Sequence, residues 1–183
     1  MNSTSLSRSL RTHPLWDFAL ALYATDDIEP CCLTLQDAAG ADVCELLWLC
    51  WLDRHGATVT DDVDAILETV RQWQTDMTRP LRYRRRTLKA AVPSSPSLDS
   101  LRQALKHAER LAEQEALSRL QTLAENGCGI RPLHHRDLPL SARLQCLLPN
   151  VESPLSEPFM NALTTLAAAS TALTLPPSRA SLS

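Results

Sequence analysis

Glycine is scarce: the 183 residues hold only Gly40, Gly56, Gly127 and Gly129. Their spacing cannot build a glycine-rich phosphate loop or a dinucleotide fingerprint. Aromatic residues reach only 4%, too few for the rows of stacking rings that grip single-stranded nucleic acid. β-Branched runs alternating with period two are missing, which removes the usual signature of a sheet. No apolar run approaches the ~20 residues needed to cross a bilayer. The nearest stretch, Phe159–Leu175, is interrupted by Asn161 and five Ser/Thr residues. The leading MNSTSLSRSLRTH lacks the apolar centre of a secretory signal. The compartment expected is the cytoplasm.

Helix formers dominate what remains. The apolar fraction of 44% is ordinary for a folded chain. Residues 46–52, LLWLCWL, contain no polar residue. As about two turns of helix they would have no polar side, so they belong inside a bundle. Gly40 suits the left-handed stop of the preceding helix, and Asp42 with Glu45 resembles a capping box for the new one. Further helices are expected from Pro14 to Ala24, from Pro30 to Gly40, and from Asp61 until Pro80 ends or kinks the run. In the last of these, Val63, Ile66, Leu67, Val70, Trp73 and Met77 form the inner stripe. A basic helix follows to about Ala91. VPSSPS reads as a linker over 92–97, with Ser97 capping a long amphipathic helix to Glu125.

The fold class expected is therefore all-α: a compact helical bundle with a long C-terminal amphipathic helix and a loosely ordered tail. Residues 1–12 read as a disordered lead and 13–126 as the helical domain. Residues 127–183 read as an irregular tail with one short helix near Ser141–Leu148; a last helix, about Phe159–Leu173, carries Phe159, Leu163 and Leu166 on one side.

Four segments carry a resemblance. LWDFALALY (Leu15–Tyr23), CLTLQDAAGADV (Cys32–Val43), LLWLCWL (Leu46–Leu52) and RPLRYRRRTLK (Arg79–Lys89) follow one another as in a family of small bacterial helical proteins of unknown function. The helix around Glu113 and Gln114 is similar too. The likeness spans roughly residues 12–125 and implies a helical fold. It implies no catalytic residue, because the family has no established activity.

Charge is the best functional clue. Net charge is −3, but eleven acids and one base lie between Asp26 and Glu68, and seven bases and one acid between Arg71 and Lys89. The candidate binding residues are Arg79, Arg82, Arg85, Arg86 and Lys89, of which 82, 85, 86 and 89 share a helix face. Guanidinium forks suit carboxylate or phosphate groups; a solvated or internally paired face gives the same pattern.

Six cysteines are present, four of them (Cys31, Cys32, Cys44, Cys50) on expected helices. They read as reduced core thiols. Cys128, His134, His135 and Cys146 have a C-x5-HH-x10-C spacing that fits no common closed zinc pattern. No cofactor is expected. The leading reading is a non-enzymatic interaction or adaptor protein with a protein partner. One alternative is an apolar-ligand or lipid-binding bundle with Trp16, Trp48, Trp51 and Trp73 near a cavity. Another is weak nucleic-acid binding through the basic helix.

Overall fold

The computed structural model describes residues 3–90, 95–149 and 156–174. The helices are α1 (Ser3–Thr12), α2 (Leu15–Tyr23), α3 (Ile28–Ala39), α4 (Val43–Arg54), α5 (Val63–Trp73), α6 (Arg79–Leu88), α7 (Pro96–Glu125), α8 (Leu140–Gln145) and α9 (Glu157–Ala172). The fold is all-α, with one small addition. Strands β1 (Ala57–Val59) and β2 (Ile130–Pro132) pair antiparallel, with Thr58 opposite Arg131. At three residues each, they are too short to leave a periodic trace in sequence.

Helix α4 is the centre. Gly40 ends α3 at φ 67°, and the Asp42 carboxylate accepts from the Cys44 and Glu45 N–H groups. Every residue from Val43 to Leu52 is buried, with Trp48 and Trp51 wholly enclosed. Helices α2, α3, α7, α8 and α9 surround it. Burying a leucine of this kind stabilises by roughly 1.5–3 kcal/mol. Trp51 Nε1 donates to the His13 carbonyl across 2.8 Å, so this enclosed ring also fixes the entry to α2. The other half of the capping box does not form. Glu45 instead turns to Arg71 on α5, accepting two bonds of 2.8 Å.

Pro80 neither ends nor interrupts the helical run. Gln74–Thr78 form a π turn that joins α5 to α6. Proline lacks an N–H, and its ring crowds the carbonyl four residues back, here that of Asp76; a wider turn at that point relieves both problems. The turn also shifts the register. Met77, expected inside, is 42% exposed, while Gln74 and Thr78 are buried in its place.

The start of the chain differs from expectation. Residues 3–12, read as a disordered lead, form α1, which buries Leu6 and Leu10 and packs on α7. Leu6 and Leu10 stand one turn apart, enough to anchor a short helix whose stability comes from packing. The long helix starts at Pro96, a favoured first position, so Ser97 lies within it and is not its cap. Residues 92–94 of the expected linker lie outside the described residues. Within 127–174, read as an irregular tail, the chain builds β2 and the short α8, and the expected last helix is present as the 16-residue α9. Helix α9 buries Ala162, Leu163, Leu166 and Ser170 against α3 and α4. No helix among the described residues is long and apolar enough to cross a membrane.

Candidate functional site

The basic helix α6 buries none of its own residues and lies along α7. Its arginines divide by side. On the inner side, Arg82 Nε donates to Glu109 Oε1 at 2.9 Å and Nη2 to Glu113 Oε1 at 2.7 Å. One turn on, Arg85 also donates to both oxygens of Glu109. Glu109 is 5% exposed, and two guanidinium groups enclose it. Burial alone would push its carboxyl pKa up, but the hydrogen bonds and charges of Arg85 and Arg82 outweigh that and hold it below the ordinary range. Glu113 faces Arg82 with less help, and burial leaves its pKa raised.

Arg86 reaches a third element. Its Nη2 donates to Asp37 of α3 at 2.9 Å, with both side chains nearly half exposed. Of the five candidate residues, the structure therefore commits Arg82, Arg85 and Arg86 to internal pairs. Arg79 and Lys89 are exposed, as is Arg84, and none of the three has a carboxylate partner among the described residues. Tyr83 stands one turn after Arg79 and is 72% exposed. The acidic residues nearest the inner arginines come mainly from α7, not from the acid-rich 26–68 stretch.

The cysteines on α3 and α4 are free, with Cys32, Cys44 and Cys50 buried and Cys31 half-buried. Burial raises all four thiol pKa values, that of Cys32 to about 11. They are poor nucleophiles in the folded chain. Cys128 and Cys146 are exposed, and no group of three metal-ligating side chains converges among the described residues. Trp48 and Trp51 lie inside the core. Trp73 is half-buried and donates to the Ala112 carbonyl at 2.9 Å, with the Arg119 guanidinium 4.2 Å from its ring centre. Trp16 borders a shallow groove beside Gln114, Gln121 and Glu125.

A second cluster was not visible in sequence. His55 caps α4, and its Nδ1 lies 2.8 Å from Ser9 Oγ of α1. His13 stands with its ring centre 6.0 Å away. These groups are isolated in the chain, and only the packing of α1 beside the α4 terminus joins them.

Residues 14–120 match a family described as Protein of unknown function (DUF2390). The chain belongs to this family. The DUF2390 stretch holds α2 to α6 and most of α7, with Arg82, Arg85, Glu109 and Glu113 all inside it. Ser9, His13 and α9 fall outside it. No curated protein and no solved structure matches the chain.

Proposed function

We propose that this DUF2390 protein is a non-enzymatic interaction protein that receives an acidic segment of a partner protein on the outer face of α6. One observation carries the reading: Arg79 and Arg84 stand exposed and unpaired among the described residues on either side of an exposed Tyr83, on a helix with no buried residue, and Lys89 is exposed and unpaired among the described residues just past its end. Holding Arg82 and Arg85 inward stiffens this helix, so less freedom is lost when a partner docks. Tyrosine flanked by cations favours a carboxylate-rich surface with an apolar contact at its middle. The chain's net charge of −3 weighs against nucleic acid as the occupant. A cytoplasmic setting suits the free buried thiols.

A photo-crosslinker at position 83 tests this. Capture of one protein through an acidic segment, lost in Arg79→Glu/Arg84→Glu/Lys89→Glu, supports the reading. Capture unchanged by that triple reversal rejects α6 as the docking face. A steep salt slope with RNA or DNA, about one unit per phosphate contact, would transfer the face to nucleic acid.

A further inference from the structure

A separate cleft of about 520 Å³ opens where α1, the end of α4 and the end of α9 meet. Its lining includes Ser9, His13, Arg54, His55 and Thr174, and contains no carboxylate among the described residues. Elsewhere the chain pairs its fixed arginines with acids, as at Arg71–Glu45, Arg131–Asp137 and Arg143–Asp53. Arg54 is fixed differently. Its Nη1 donates to the Thr171 carbonyl and Nη2 to the Leu173 carbonyl, both at 3.1 Å. Those neutral acceptors at the end of α9 offset only about half a charge. A guanidinium has five N–H groups, so about three remain to serve a ligand.

Beside it, His55 is only 8% exposed and its Nε2 has no partner among the described residues. Burial, then the charges of His13 and Arg54, lower its pKa to about 4. The ring is therefore neutral at ordinary pH. It is a weak base, and no carboxylate orients it through Nε2, so Ser9 and His55 lack the third group of a hydrolytic triad. The cluster is equipped to bind and not to cleave.

We propose that this cleft binds a small phosphate-bearing ligand, with Arg54 as the anchor and His13 and Thr174 as further donors. The donors come from three directions, which suits the three terminal oxygens of a phosphate better than the two of a carboxylate. The volume lies in the range of small-ligand sites. Arg54 and His55 lie inside the family match and Ser9, His13 and Thr174 outside it, so the site joins the DUF2390 stretch to the segments on either side of it.

The test is a titration of the full chain with inorganic phosphate, acetate and chloride at one ionic strength, followed through the NMR signals of His13 and His55. Phosphate should give saturable shifts, with affinity falling about tenfold or more in Arg54→Gln and in His13→Gln. Shifts in phosphate no larger than in chloride would overturn the site, as would unchanged saturation in both variants. Tighter saturation by acetate would overturn the choice of phosphate. If Arg54→Gln loosens α9, His13→Gln decides, since it leaves the Arg54–carbonyl bonds in place.

Discussion

Arg82 Nε donates to Glu109 Oε1 across 2.9 Å, tying α6 to α7 at a carboxylate that is almost fully enclosed. Arg85 holds the same carboxylate from the next turn. A basic run that looks in sequence like one binding face is thus split, with its inner half built into the fold.

That split predicts unequal costs. Glu109→Ala leaves two guanidinium groups facing one another with their acceptor gone, and should cost about 3 kcal/mol or more in urea unfolding. Arg86→Ala removes a pair that is nearly half exposed on both sides, and should cost less than about 1 kcal/mol. Equal losses in the two variants would remove the distinction.

His55 sets a pH dependence. Its pKa is near 4 in the folded chain, against about 6.5 when unfolded. Between those values the unfolded chain binds the extra proton. Stability should therefore fall as pH drops from 6.5 towards 4, by up to about 3 kcal/mol. His55→Asn should flatten that part of the profile relative to the parent. A parallel slope in the variant would assign the effect to other groups.

Thiol labelling reports the packing of α9. Cys128 and Cys146 should react first in the native chain, while Cys32, Cys44 and Cys50 stay protected. Leu163 is fully buried, and Leu163→Ala should cost about 2–5 kcal/mol. It should also speed labelling of Cys50, whose carbonyl receives the Ser170 hydroxyl of α9. Unaltered Cys50 protection at an unaltered unfolding midpoint would mean that α9 adds little to the core.

Two neighbouring glycines separate strain from space. Both have positive φ, 73° at Gly127 and 67° at Gly129, but only at Gly129 would a methyl meet Ile66, at 3.0 Å. Gly127→Ala should cost about 1–2 kcal/mol from backbone strain alone. Gly129→Ala should cost clearly more by the same denaturant assay, and a smaller loss there would contradict the close approach.

The centre of the fold was legible because its signals are local. Residues 46–52 have no polar side, and Gly40 and Asp42 announce their roles by residue type. The π turn was hidden, since Pro80 signals a break and says nothing of how the chain absorbs it. Helix α1 was missed because two leucines among serines and arginines look solvated until α7 is set beside them. The arginine face was found as a set, but its division could not be read. Glu109 lies 27 residues beyond Arg82, and only the α6–α7 pairing brings them together. Arg54, His55, Ser9 and His13 carried no spacing signal, because α1 must pack beside the end of α4 before they meet.

The most direct measurement sets two charge reversals side by side, each scored for unfolding free energy and for crosslinked partner. Arg82→Glu/Arg85→Glu should lose several kcal/mol of stability, because it places like charges against Glu109 and Glu113. Arg79→Glu/Arg84→Glu/Lys89→Glu should unfold within about 1 kcal/mol of the parent yet lose the partner. An inner variant as stable as the parent, or an outer variant that keeps its partner, would contradict the division of α6 into a structural side and a docking side.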